Sequence, residues 1–204
     1  MTNTSSALGT RAWKWPILMI SAALVLLGAV NAHLLHADAD GVGYMLRVTA
    51  RIAFVFLMLA YIARPVQRLF GRGRLLISHR RYLGLAMAIA HTVHFGYVVA
   101  YIVVSNEPVD LITYVLGGLA FVLMWLMAAT SNDTAMRKLG RQWKILHLVG
   151  LHYLWVVFMQ TFLGNFGGAD ALLYGSLVLI GFVGLGLRVA AYLSRRNRRQ
   201  HVPG

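Results

Sequence analysis

Cysteine is missing from the 204 residues of the chain, and acidic residues are few: six, against nineteen lysines and arginines. Without cysteine there is no disulfide, no thiolate metal site and no iron–sulfur ligation. Charged residues make up 12% of the chain, about half the share found in a soluble domain, whereas 59% of the residues are hydrophobic. This composition indicates a protein of the lipid bilayer. Its eight histidines are, besides methionine, the strong transition-metal ligands that remain.

Six apolar segments are long enough to cross the hydrocarbon core, which takes about 20 residues of helix. They run from Pro16 to about Leu35, Met45 to Ala63, Tyr82 to Val104, Val109 to Ala129, about Trp143 to Leu163, and Ala171 to Tyr192. Arg64-Pro65 is expected to end the second segment. The prediction is an all-α membrane protein: a bundle of six transmembrane helices over residues 16–193, with a cytoplasmic N-terminal segment (1–15) and a basic cytoplasmic tail (194–204).

The basic residues predict how the bundle is oriented. If the N-terminus is cytoplasmic, all lysines and arginines except Arg47 and Arg51 lie inside, and all acids except Asp133 lie outside. This partition predicts an N-in, C-in multi-pass protein of the bacterial inner (plasma) membrane, so the net charge of +13 gives no reason to expect nucleic-acid binding. Two alternatives stay open: a signal peptide cleaved near residues 37–39, and a basic tail at 195–199 that binds anionic lipid or nucleic acid instead of only anchoring the topology.

Ionisable side chains inside a membrane are costly and are functional candidates. They are Arg47 and Arg51 in the second segment, His91 and His94 in the third, and His147 and His152 in the fifth. His91 and His94 are three residues apart and share one helix face. Histidines on two helices, without charged partners, favour axial ligation of haem iron. The alternative is that the imidazoles bond hydroxyl or carbonyl groups of neighbouring helices.

Arg47 and Arg51 are spaced by four residues and therefore project from one face near the outer surface. A guanidinium group matches a carboxylate, so these arginines suit the propionates of a haem. They could equally reach the outer headgroups or pair with Asp38 and Asp40. The methionines of the spans are expected to be packing residues: Met58, Met87, Met124, Met127 and Met159.

Two stretches resemble a known family. The first is Arg80-Arg81-x-Leu83-Gly84-Leu85, followed nine residues later by His94; the second joins Thr130-Ser131-Asn132-Asp133, Arg137-Lys138-Leu139-Gly140 and Trp143-Lys144-x-Leu146-His147. Both are similar to the ferric-reductase-like transmembrane family, and within it to MsrQ-like haem subunits. The resemblance implies b-type haem, with His94 and His147 at ligand positions for the iron. It also implies electron flow from a cytoplasmic reductant or quinol towards the outer face.

The resemblance leaves other features of the site open. Some relatives use flavin near the cytoplasmic loops, where Arg72, Arg74, Arg80 and Arg81 could meet a phosphate. Where the MsrQ-like pattern has another histidine, thirteen residues after His147, this chain has Gln160. One or two haems are therefore expected, and a flavin mononucleotide or a quinone is a further candidate cofactor.

Depth along the helices bears on how the histidines pair. Counted from Arg81 at ~1.5 Å per residue, His91 lies about 15 Å deep and His94 about 20 Å. Counted from Trp143, His147 lies about 6 Å deep and His152 about 14 Å. Equal depth favours His152 with His91 or His94 on one iron. If there are two haems, His147 serves the inner one, and the pairing stays open.

The predicted function is a haem b electron-transfer subunit, an oxidoreductase component that works with a periplasmic or cytoplasmic redox partner. No GxGxxG motif lies between a strand and a helix, so NAD(P)H oxidation is expected on another protein. Two rival functions are a small transporter whose path is lined by histidine and arginine, and an assembly protein without a cofactor.

Overall fold

The computed structural model of the chain describes residues 39–105, 110–167 and 170–200. These residues form six helices: α1 (Ala39–Phe70), α2 (Arg74–Ser105), α3 (Leu111–Ala129), α4 (Asp133–Leu139), α5 (Arg141–Gly164) and α6 (Ala171–Gln200). The described part of the chain contains no β-strand. The expected all-α class is thereby confirmed.

Five of these helices, all but α4, are long and apolar enough to cross a membrane. They contain the second to sixth apolar segments expected from the sequence. The first expected segment, 16–35, and the first residue of the fourth, Val109, lie outside the described residues. Large apolar side chains such as Leu172, Val103 and Leu111 are exposed, as expected where the solvent is lipid. The chain is a multi-pass membrane protein.

α1 and α2 form an antiparallel pair whose register is fixed by contacts at both ends. Arg80 Nε donates to the carbonyl of Ala60 at 3.1 Å, and His94 Nδ1 lies 3.1 Å from the carbonyl oxygen of Leu46. Small buried residues let the two backbones approach closely, as is common in membranes. These residues are Ala53, Ala60 and Ala63 in α1, and Ala86, Ala88 and Ala90 in α2.

The expected end of the second segment at Arg64-Pro65 is wrong, because α1 continues through Pro65 to Phe70. Proline has no N–H, so the carbonyl of Tyr61, one turn earlier, loses its usual helical donor. Arg188 of α6 replaces that donor: its Nη1 bonds the Tyr61 carbonyl oxygen at 3.3 Å. This bond from α6 gives the Tyr61 carbonyl a donor in place of the missing N–H of Pro65, and α1 continues beyond the proline.

The turn between α1 and α2 depends on glycine. Gly71 and Gly73 have φ of 66° and 92°, in the left-handed region that other residues rarely adopt. α2 therefore begins at Arg74, eight residues before the apolar segment that starts at Tyr82. At the other end of the chain, α6 continues through the expected tail as far as Gln200.

The helices surround a central space. α1 packs on α2, α5 and α6, whereas α3 packs on α2 and α5. α2 and α5, which carry the four intramembrane histidines, do not contact each other through their backbones in the described part of the chain. They therefore face each other across the bundle. We call the end with Arg64, Arg80 and α4 the basic end, and the end with Asp110 and Asp170 the acidic end.

Candidate functional site

A cavity of about 260 Å³ lies at the basic end, between α2 and α5. Its wall is mostly aliphatic, with four methionines from three helices: Met87, Met124, Met127 and Met136. The polar groups on the wall come from His147, Ser131, Trp143 and the arginines at positions 64, 80 and 81. The cavity thus joins an apolar interior to a cationic rim.

The two ring nitrogens of His147 have different surroundings. Its Nδ1 lies 3.0 Å from the carbonyl oxygen of Trp143, which can only accept, so Nδ1 carries the hydrogen. The Nε2 lone pair then lies 3.4 Å from Ser131 Oγ. The Ser131 hydroxyl donates to the carbonyl of Met127 at 2.6 Å, so its hydrogen is not available to His147. Metal-ligating histidines commonly have their second nitrogen fixed by a carbonyl in this way, and His152 and His79 make the same bond to the carbonyl four residues earlier.

The loop before α5 holds His147 in place. The Trp143 ring stacks on His147 at a centroid distance of 4.0 Å, and its Nε1 donates to the carbonyl of Thr130 at 2.9 Å. Asn132 caps α4 by accepting from the amide of Ala135 at 2.8 Å. These contacts give a structural reason for the Thr-Ser-Asn-Asp and Trp-Lys-x-Leu-His spacings: they position the imidazole on the cavity wall.

Arginines concentrate at the basic end, where the described residues include a single acid, Asp133. Arg81 pairs with Asp133, which ties the start of α2 to α4. Arg80 donates to the carbonyl of Ala60, and the Arg188 guanidinium lies 4.3 Å from the centroid of the Tyr61 ring. The rim of the cavity therefore carries net positive charge and suits a ligand with anionic groups.

His91 and His94 lie on α2 nearer the acidic end, stacked at a centroid distance of 5.1 Å. His94 Nδ1 donates towards the carbonyl of Leu46 at 3.1 Å and lies 3.2 Å from Thr49 Oγ1, which leaves Nε2 as the acceptor nitrogen. His91 Nδ1 is buried without a hydrogen-bond partner, and its ring lies 5.5 Å from that of Phe158 on α5.

The structure brings His91 and His94 together but separates His147 and His152. Five residues apart on α5, they lie about 140° around the helix from each other. His152 donates from Nδ1 to the carbonyl of Leu148 at 2.7 Å, and its ring meets Tyr61 at 5.6 Å. Neither His152 nor the α2 histidines line the cavity. The described residues hold no group of three or more histidines and acids placed to bind a bare metal ion.

The arginines of α1 differ in their surroundings. Arg51 Nη2 bonds Asp170 Oδ2 at 2.8 Å, and its guanidinium lies 5.2 Å from the Tyr174 centroid. Arg47 is exposed. The partner of Arg51 is thus Asp170, from the start of α6. The propionate role of both arginines stays a prediction.

Several residues of the cavity carry no signal of a site in the sequence. Gly84 lies within the first motif, and Met87 and Met124 are ordinary packing residues in apolar helices. Met87 lies seven residues before His94, two turns along α2, so spacing was a signal for the shared face. Gln160 is exposed and does not face the bundle.

The residues of the cavity fit a flat apolar group that carries a metal. His147 Nε2 is the candidate donor atom, and the wall around it is mostly apolar. A Cβ built on Gly84 meets no atom within 4 Å, so α2 leaves room for the edge of a ring. The arginines of the rim suit carboxylates.

Comparison with other proteins identifies relatives over most of the chain. It is 31% identical over 162 residues to a Klebsiella pneumoniae protein named protein-methionine-sulfoxide reductase heme-binding subunit MsrQ, a match that covers 72% of this chain and 81% of the relative. Proteins of the same name from Bordetella parapertussis and Bordetella bronchiseptica are 33% identical over 177 residues, 78% of this chain and 80% of theirs.

Two further comparisons found nothing. No family model matches the chain. No solved structure matches it either. The named relatives nonetheless align with more than two thirds of the chain and of their own length, at over 30% identity. The resemblance expected from the two motifs is confirmed, and the chain belongs to the MsrQ family.

Proposed function

We propose that this chain is the haem-binding membrane subunit of a methionine sulfoxide reductase system and carries electrons across the bacterial inner membrane. The observation that carries the proposal is the position of His147 on the wall of an apolar cavity, with its Nδ1 fixed by the Trp143 carbonyl. The name of the MsrQ relatives supplies the cofactor class. Bound haem b would supply a one-electron couple of iron.

In this proposal the chain itself orients and tunes the ligand. The Nδ1–H bond from His147 to the Trp143 carbonyl fixes the tautomer and raises the basicity of Nε2. The aliphatic wall excludes water, and burial together with ligand identity sets the reduction potential of a haem. Arg64, Arg80 and Arg81 on the rim are the proposed partners of the propionates.

His94 is the proposed ligand of a second haem nearer the acidic end. Its Nδ1 is fixed by the Leu46 carbonyl as that of His147 is by Trp143, so its Nε2 is likewise the acceptor nitrogen. The His91 ring meets Phe158, which lies eleven residues, about 16 Å, after His147 along α5, so His94 and His147 lie at different depths. We therefore propose that they serve different irons, with His91 and His152 as further candidate ligands. Such a pair would form a path for electrons through the bilayer.

The direction of transfer and the partners are part of the same proposal. The basic end faces the cytoplasm by the positive-inside rule. Electrons enter there from a cytoplasmic reductant or a quinol, with Arg72, Arg74, Arg80 and Arg81 as candidates for a flavin phosphate. They leave at the acidic end to a periplasmic redox partner of the reductase type. A ferric-reductase-like transfer to iron is the alternative acceptor reaction.

A visible spectrum with quantified haem tests the proposal. We expect the purified protein, produced with ample haem, to show a sharp Soret band and split α/β bands after dithionite reduction. His147→Ala should lose at least one haem equivalent per chain, because no other histidine lines the cavity among the described residues. His79→Ala is the matched control: this histidine lies at the basic end outside the cavity wall and should leave haem content unchanged.

Two results would contradict the proposal. A well-folded, helical preparation without haem, obtained with ample haem supply, would refute haem binding altogether. Equal haem content in the His147→Ala, His79→Ala and unaltered proteins would remove His147 from the ligand set.

A further inference from the structure

Thr49 of α1 is a polar residue in the middle of an apolar contact. Its side chain is 0% exposed, and, aromatic residues aside, no other polar residue is as completely buried in the described part of the chain. A hydroxyl group away from water costs free energy unless it is hydrogen-bonded. The partners of this hydroxyl therefore decide what the threonine can do.

The hydrogen of the Thr49 hydroxyl is used within α1. Oγ1 lies 2.7 Å from the carbonyl oxygen of Met45 and 3.2 Å from that of Leu46, one turn earlier. A carbonyl only accepts, so the single hydroxyl hydrogen points at the closer oxygen, that of Met45. A threonine in a helix commonly makes such a bond, which restricts its χ1 angle. The lone pairs of Oγ1 are thereby fixed in direction and can accept a hydrogen from another helix.

That hydrogen comes from His94 on α2. Its Nδ1 lies 3.2 Å from Thr49 Oγ1 and 3.1 Å from the Leu46 carbonyl oxygen. Because both oxygens can only accept in this arrangement, Nδ1 carries the hydrogen and shares it between them. The Nδ1–H of His94 thus has two acceptors on α1, and Nε2 keeps its lone pair.

His94 differs in this respect from other histidines of the chain. Three further imidazoles bond through Nδ1 to the carbonyl four residues earlier in their own helix: His79, His147 and His152. Both acceptors of His94 lie on the neighbouring helix instead. The direction of its ring therefore depends on a side chain and a carbonyl of α1 and not only on the local geometry of α2.

We propose that Thr49 is a positioning residue for His94: its hydroxyl fixes the tautomer and plane of the imidazole and strengthens Nε2 as the ligand of the haem nearer the acidic end. This inference rests on the proposed function. An acceptor on Nδ1–H makes the imidazole a more basic ligand, which favours ferric over ferrous iron. Hydrogen bonding around the ligands is one of the means by which a protein sets the potential of a haem. Loss of the Thr49 hydroxyl should therefore raise the midpoint potential of that haem alone.

Two substitutions at this position test the inference on the full-length, haem-loaded protein. Thr49→Val replaces the hydroxyl by a methyl group of similar size and leaves the Leu46 carbonyl as an acceptor for His94, so the variant should fold and keep its haem. In a redox titration we expect one of the two midpoint potentials to rise and the other to stay unchanged. Thr49→Ser keeps the hydroxyl and should keep both potentials of the unaltered protein.

Thr92→Val is the matched control. The Thr92 hydroxyl of α2 bonds the Ala88 carbonyl of its own helix at 2.7 Å, as Thr49 bonds Met45, so its loss should leave both potentials unchanged. His94→Ala identifies the haem that responds, because it should remove the haem whose potential rises in Thr49→Val.

The outcomes separate this inference from the proposed function. Unchanged potentials in Thr49→Val, or the same rise in Thr49→Ser or Thr92→Val, would overturn the role of the hydroxyl while haem binding by His94 stands. An equal rise of both potentials would also overturn it, because it would report a general change of the bundle. Full haem content in His94→Ala would instead refute the proposed ligand and the inference with it.

Discussion

The two ends of the bundle are built differently although the same helices form both. At the basic end α2 and α5 stand apart around a cavity bordered by arginines. Towards the acidic end the space between α1, α5 and α6 is filled by rings: Phe54 meets Phe162 edge-on at 4.9 Å, and Phe158 lies 5.5 Å from Phe54. One end keeps space for a ligand, and the other uses its side chains for packing.

The contrast separates residues that leave space for a ligand from residues that stabilise the fold. A side chain added at the basic end should displace a ligand at little cost to the fold. A side chain removed from the aromatic cluster should cost stability, because well-packed interiors respond to lost volume. Substitutions at both ends therefore test the comparison directly.

The largest expected effect comes from filling the cavity. Gly84→Phe should remove most of the haem attributed to His147, because its ring would occupy the space that is open around the Gly84 Cβ position. Gly96→Phe is the matched control on the same helix: Gly96 is exposed and also meets no atom within 4 Å, so a ring there points into lipid. Haem per chain, from the pyridine haemochrome spectrum, measures the effect.

Two outcomes would contradict the claim that the ligand lies in the cavity beside Gly84. Unchanged haem in Gly84→Phe would show that the ligand does not lie beside this part of α2. Equal loss in both variants would show that the glycines act through helix packing and not through the cavity.

The next largest effect is expected from emptying the aromatic cluster. Phe54 is 1% exposed, and replacing a buried phenylalanine by alanine typically costs about 3–5 kcal/mol. Phe54→Ala should therefore lower the free energy of unfolding by about 3 kcal/mol, the low end of that range. Val55→Ala, the next residue along α1 and 50% exposed, should change it little. Unfolding in mixed detergent micelles, followed by circular dichroism, provides the measurement.

A loss in Phe54→Ala no larger than in Val55→Ala would mean that the rings do not form a tightly packed core. In that case the acidic end would be loosely packed, and the two ends would not differ in packing density.

Much of the architecture could be predicted from the sequence because lipid imposes simple rules. The spans at Met45–Ala63 and Ala171–Tyr192 follow from apolar length alone, and the family is indicated by the resemblance of the second motif, which contains Trp143 and His147. The continuation of α1 past Pro65 could not be predicted, because the compensating donor is Arg188, far away in the sequence. Likewise, the ion pair of Arg51 with Asp170 depends on the packing of α6 beside α1, which no local sequence pattern predicts.

The candidate site, too, contains some residues that the sequence indicates and others that only the packing of the helices brings to the cavity. The histidines are costly polar groups in apolar segments, so the sequence alone indicates His147 as a candidate. Met87 and Met124 carry no such signal, because methionine is an ordinary packing residue in an apolar helix. Both methionines line the cavity because residues of α1 to α5 surround one space, and no sequence pattern indicates that packing.

The smallest expected effect concerns how the basic end tolerates its proline. Arg188→Met should cost stability, because it removes both the stacking on Tyr61 and the donor to the Tyr61 carbonyl. Pro65→Ala restores a backbone N–H for that carbonyl, so the same Arg188→Met change should cost about 1 kcal/mol less in this background, the net value of one hydrogen bond. The contribution of Arg188 stacking on Tyr61 is lost with and without Pro65→Ala, so it cancels in the double-mutant cycle.

Arg196→Met, an exposed position near the end of α6, is the control and should show no coupling to Pro65. Additive effects of Arg188→Met and Pro65→Ala would mean that the carbonyl is satisfied by another group and that stacking alone holds Arg188. A measured coupling of the expected sign would show that α6 stabilises the proline turn of α1 through one bond. It would also give a structural reason for an arginine four residues before the end of the sixth apolar segment: Pro65 of α1 leaves a carbonyl there without its helical donor. The acidic end contains no helical proline among its described residues.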